Sequence, residues 1–127
     1  MLFRSTSFSS PASGSYLADR YMYEFDGTSA TRTISQQTFT PGTAPVSGYE
    51  GQYFFRIACT AAGSSNTYLN IKQKIEDVRT FAGQTVTLSF WAKADAARTI
   101  NLVFQQQFGS GGSADNNTAS STVTLTT

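Results

Sequence analysis

Between Thr85 and Lys93 the chain reads TVTLSFWAK, and its side chains alternate: Val86, Leu88, Phe90 and Ala92 fall on one side of an extended backbone, Thr87, Ser89, Trp91 and Lys93 on the other. Successive side chains of a strand point to opposite faces, so this pattern predicts a β-strand with one buried and one wetted face. Just before it, Val78 and Phe81 stand three apart, which predicts a single helical turn near 76–81. Gly83 supplies a residue free to take positive φ where the chain turns into the strand. The stretch 75–93 closes as a unit of strand, short helical turn and strand, around which the other segments can be placed.

Upstream, residues 1–15 are rich in Ser, with Pro11 and Gly14, and carry Leu2, Phe3 and Phe8 as isolated apolar anchors. They read as an extended assembly arm that lies along its own domain or reaches a neighbour. Residues 16–26 put Tyr21, Tyr23 and Phe25 on one face and Met22, Glu24 and Asp26 on the other, a strand closed by Asp26-Gly27. Residues 31–39 are rich in β-branched side chains and form the next strand, before a loop with Pro41, Gly42, Pro45 and Gly48. Residues 52–61 alternate Tyr53, Phe55, Ile57 and Cys59 against Phe54, Arg56, Ala58 and Thr60, the pattern of a central strand. After a turn at 63–66, Leu69, Ile71 and Ile75 point inward, and Tyr68, Asn70, Lys72 and Lys74 outward. Residues 99–108 set Ile100, Leu102, Phe104 and Phe108 against Asn101, Val103, Gln105 and Gln107, and 118–127 end as a strand with Val123 and Leu125 aligned. Seven strands with turns at short intervals predict an all-β chain, an antiparallel β-sandwich of jelly-roll type occupying 16–127 as a single domain. No fixed-period repeat points to a propeller or solenoid.

Composition narrows the chemistry. The chain has 127 residues, a formal net charge of +1, and no His, so the commonest general base and commonest metal ligand are both missing. With no Lys/Arg cluster it lacks the electrostatic footprint of a nucleic-acid binder. Its single cysteine, Cys59, cannot form an internal disulfide, and its place in an alternating strand predicts a small buried core residue. No apolar run is long enough to span a bilayer and the N-terminus does not read as a signal peptide, so no membrane insertion or secretory export is expected. The carboxylates are Asp19, Glu24, Asp26, Glu50, Glu76, Asp77, Asp95 and Asp115. None is marked as the pair a glycosidase holds across a sugar, and Glu76 and Asp77, being adjacent, instead serve the start of the helical turn or pair with Arg79. Loop carboxylates such as Asp26 and Asp115 match no calcium-loop spacing. The expectation is a non-enzyme without cofactor or metal.

A binding surface is the stronger option. Tyr68, Lys72, Trp91, Asn101, Gln105 and Gln107 all project from outward faces, which supplies the aromatic, amide and charged groups that hold a glycan. The same aromatics are the usual anchors of subunit contacts, and for these residues the contact is the preferred reading.

Three segments carry a likeness. Residues 75–100, IEDVRTFAGQTVTLSFWAKADAARTI, together with SFSSPASGSYLADRY at 7–21 and TRTISQQTFTPGTAPVSGYEGQYFFRI at 31–57, resemble the jelly-roll domain of bacteriophage tail fibres, virion appendages and related minor structural proteins, a fold similar to carbohydrate-binding modules. The most specific part combines Ile75-Glu76-Asp77-Val78-Arg79 with Leu88-Ser89-Phe90-Trp91-Ala92-Lys93. The resemblance implies a virion structural protein, in a tail fibre, an appendage or a capsid decoration. Such a protein is assembled in the host cytoplasm and exposed on the particle surface, with other virion proteins as partners. It also implies a homo-oligomer, trimeric if fibre-like, and as the alternative a module recognising host-surface polysaccharide. The family usually begins with an extra N-terminal strand and continues past the position of Thr127. A domain incomplete at its C-terminus, closed by a neighbouring chain or by more of its own, is therefore expected.

Overall fold

The computed structural model describes residues 5–18, 20–27, 30–43, 46–65 and 68–127. Leu2 and Phe3 of the expected arm, and Asp19, lie outside the described residues. Among those described, the chain is all-β, with eight strands and no helix. It divides into two compact units, Met1–Lys74 and Ile75–Thr127.

The first unit holds β1 (Ser7–Ser9), β2 (Ser15–Ala18), β3 (Tyr21–Phe25), β4 (Thr31–Thr38), β5 (Tyr53–Ala61) and β6 (Leu69–Gln73). They form two three-stranded antiparallel sheets, ordered β1-β4-β5 and β2-β3-β6. Leu17, Tyr23 and Ile34 are fully buried, with Phe8, Phe25, Phe55 and Ile71 packed against them, so all six strands feed one cluster. Fully burying side chains of this size is worth roughly 1.5–3 kcal/mol each, and these three are the main apolar source of the unit's stability. The registers reproduce the expected faces: Tyr23 lies opposite Ile71 and Phe25 opposite Leu69, while Met22 lies opposite Lys72 on the other side.

Residues 16–26 make two strands where one was expected. Ala18 pairs with Tyr21, and Arg20, at φ 62°, stands at the reversal between them. Such turns favour Asn-Gly or Gly-rich pairs, and an arginine in the left-handed region gives no advance signal of one. The register also slips between Tyr16 and Ala18, so Leu17 is an extra residue whose side chain joins the core. In the expected arm, Ser7–Ser9 pairs with β4, and Ser13 clasps the end of β3, its Oγ donating to the Phe25 carbonyl (2.9 Å) and accepting from the Phe25 N–H (3.0 Å).

Strand β5 lies at the edge of its sheet and β4 is the middle strand, contrary to the expectation for 52–61. Seven of its nine residues are exposed. Cys59, expected in the core, is an exposed free thiol, because the apolar side of β5 is covered chiefly at Phe55, nearer the cluster. Ile75, expected to point inward, is 48 % exposed, since β6 ends at Gln73 and carries the alternation no further.

In the second unit β7 (Arg98–Gln106) and β8 (Asn116–Leu125) form a two-stranded antiparallel ribbon. Ile100 faces Val123 and Leu102 faces Ser121, and the register shifts after Phe104. The connection uses Gly112 where a side chain has no room: a Cβ there would stand 2.5 Å from the Phe108 carbonyl oxygen. The organising strand expected at 85–93 is absent as a ladder; these residues form no regular strand pairing. Alternation sets a strand's period, but a ladder also needs a neighbour, and neither outer edge of the β7-β8 ribbon takes this segment up. Nor does the helical turn near 76–81 close into a helix. Thr80 N–H bonds to the Asp77 carbonyl, Ala82 to Arg79 and Gln84 to Phe81, a succession of tight turns that Gly83 leaves at φ 69°.

Candidate interaction surface

The six residues expected to form one surface divide between the two units. In the first, Tyr68 stands just before β6 and continues its pairing with β3: its N–H bonds to Asp26 Oδ1 (3.0 Å) and its carbonyl accepts from the Asp26 N–H. Tyr68, Asn70 and Lys72 thereby share the outward side of β6. Lys72 is engaged there, its Nζ 2.6 Å from Glu24 Oε2, and the pair crosses beside Met22, which is buried on that side. An ion pair at a half-exposed site adds about 1 kcal/mol or less, so its main effect is to hold the lysine stem over Met22.

In the second unit Asn101 and Gln105 share one side of β7 with Val103 between them, and Gln107 follows the end of the strand, exposed. Trp91 is 68 % exposed, the most exposed large apolar side chain among the described residues. Val86, Leu88 and Phe90 are also exposed, so the side of 85–93 expected to be buried is open. Among the described side chains of 75–127 none is buried. Of the arm anchors, Phe8 packs on the first unit's cluster.

Sequence reasoning missed the edge of β5. Tyr53, Phe54 and Ile57 are exposed along a strand paired only with β4. At its start the Phe54 ring packs at a tilt against Phe39, with centroids 4.6 Å apart. Beside that pair a shallow cleft of about 290 Å³ is lined by Thr38, Phe39, Thr40, Pro41, Glu50, Gly51 and Gln52. The signal that could have exposed the edge was the density of aromatics in a strand followed by small residues, which suits an outer strand as well as a central one.

Two carboxylates are tuned by arginine partners. Asp77, at φ 72°, receives Arg79 Nη2 at 2.7 Å and Nε at 3.0 Å, and its Oδ1 also accepts the Arg79 N–H. The side-chain bonds, then the backbone bond, hold the Asp77 carboxyl below its ordinary 3.8 and raise Arg79. Asp95 is lowered by its bond to Arg98 and by that residue's charge. Both pairs are solvated and brace turns; neither forms a facing acid pair. Among the described residues no group of His, Cys, Asp or Glu is placed to hold a metal ion. No described helix is long and apolar enough to cross a membrane.

Comparison of the chain with protein-family models, curated proteins and solved structures gave no match.

Proposed function

We propose that this chain is a non-enzymatic structural module that works by assembly, in the setting its sequence resemblance implies: a bacteriophage virion, as part of a tail fibre or appendage or as a capsid decoration. The observation that carries the reading is the openness of 75–127, where Val86, Leu88, Phe90, Trp91, Val103 and Phe104 are all exposed. Apolar residues in such number, patterned for strands, are covered in a working molecule, and exposed apolar surface of this kind marks an interaction surface. Added strands from other chains would pair the free edges and extend the small sheets toward a jelly-roll sandwich. Stable association of this type buries at least ~1,000 Å² in total. Sedimentation velocity and calorimetry on the purified chain test the reading. Concentration-dependent oligomers, trimers if the fibre setting is right, are expected; a monomer that melts cooperatively overturns it.

The exposure of Trp91 favours a second reading, a surface for host polysaccharide. Sugars stack on aromatic faces while amides bond their hydroxyls. A glycan array read with wild type and Trp91→Ala checks it: signal lost in the variant supports a sugar platform, and no signal from either removes it.

A further inference from the structure

Resting on the assembly reading, we propose that β5 is a contact strand and that its occupant is β5 of a second copy, joined antiparallel about a two-fold axis with Ile57 facing its own counterpart. The strand is nine residues long and, among the described strands, pairs with β4 alone. Natural sheets blunt such edges with proline, lysine or brevity. β1, β2 and β6 are short, at three, four and five residues. β5 has no proline, and Arg56 is its single charge. β7 and β8 are as long, but they make a two-stranded ribbon among whose described side chains none is buried. β5 instead is backed by β4 and anchored through Phe55 in the core cluster, so its free edge is presented already formed, and little ordering entropy remains to be lost on pairing.

Symmetry and charge select the register. Keeping both copies' cores on the same side of a continuous sheet requires one residue to face itself across the axis, because paired residues share a face. An axis at Arg56 would set two guanidinium groups directly opposite, which is unfavourable. An axis at Ile57 avoids this: Arg56 meets Ala58, Phe55 meets Cys59, Phe54 meets Thr60 and Tyr53 meets Ala61, so all nine residues find partners. The β4 ladder shifts register so that Thr60 is an extra residue on β5, which leaves 55–59 as the regular heart of the contact. Two three-stranded sheets thereby become one of six strands, β1-β4-β5 continuing into β5-β4-β1 of the partner.

Register-specific cross-linking tests this. Antiparallel neighbours have Cα atoms about 4.5–5.5 Å apart, within disulfide range. Ile57→Cys in a Cys59→Ser background should therefore give a covalent dimer under mild oxidation, whereas wild type, whose Cys59 faces Phe55, should give little. Ile57→Lys, folded by circular dichroism, should weaken the dimer at least about tenfold, read by sedimentation equilibrium up to about 200 µM. If the chain oligomerises but Ile57→Cys does not cross-link and Ile57→Lys changes nothing, the β5 pairing is wrong and the assembly reading stands. A monomeric wild type at that concentration overturns the pairing whatever its stability; if it also melts cooperatively, the assembly reading goes with it.

Discussion

The hydroxyl of Tyr23 carries an energetic cost in the first unit. The residue is fully buried, and its Oη has no hydrogen-bond partner among the described residues. A buried polar atom left unpaired costs about 1–3 kcal/mol, whereas the ring contributes packing and lies 5.5 Å from Phe25. Tyr23→Phe should therefore raise stability by about 1 kcal/mol in urea unfolding. A loss of similar size would show that the hydroxyl is satisfied. Nearby, Arg32 is 4 % exposed and sets its guanidinium carbon 4.2 Å from the centroid of the Phe25 ring, joining β4 of one sheet to β3 of the other. Desolvated contacts of this type reach about 2 kcal/mol, and the aliphatic stem packs as well. Arg32→Ala should cost roughly 2–3 kcal/mol in the same measurement, and Arg32→Met less, since it keeps the stem. For Asp77 and Asp95 the folded-state pKa is depressed, so the stability each adds is complete above the unfolded value near 3.8 and is lost as pH falls through the lower folded value. Carboxyl ¹³C titration should place both midpoints below 3.8, and Arg79→Ala should return Asp77 toward it. An unchanged Asp77 midpoint in that variant would mean that the pair does not form in solution.

At the scale of elements, the Ser13 clasp on Phe25 substitutes a side chain for a neighbouring strand, occupying both main-chain groups at the end of β3. Ser13→Ala leaves them to water and should lower stability by about 1 kcal/mol, with faster amide exchange at Phe25. If exchange there is unchanged, the clasp is not formed in solution. Side-chain alternation made the faces of β3, β6 and β7 readable from sequence, because period two is a local property of the chain. Neighbours are not local. Whether β5 lay inside its sheet or at its rim, and whether 85–93 would find a partner, depended on segments far away in sequence. The hairpin at Arg20 and the extra Leu17 escaped notice for another reason: neither carries the glycine or asparagine that usually announces a reversal or bulge. Of the candidate surface, the exposure of Trp91 and the outward side shared by Tyr68 and Lys72 were legible. The ion pair that occupies Lys72 was not, since its partner Glu24 lies on β3, 48 residues upstream.

For the whole molecule, the two units differ in how they gain stability. The first owns a cluster fed by six strands. The second has a two-stranded ribbon and, at 85–93, a segment outside any strand ladder, and a lone ribbon of that kind is at best marginally stable in water. Hydrogen exchange should therefore show slow amides in β3 and β4 and fast ones through 85–93 in dilute protein, with protection of 85–93 appearing as concentration rises. Equal protection in both units at low concentration would contradict the account.

The path of residues 7–18 has a practical corollary. This short run is stitched first to β4 and then to β3, so it serves both sheets in turn, changing allegiance around Ser10 and Gly14, both at positive φ. Clipping the chain before Pro11 would strip β4 of a flanking strand and turn the middle of that sheet into a second rim. A trimmed preparation would thus offer a new adhesive border, and its clumping would say nothing about the intact molecule's own contacts.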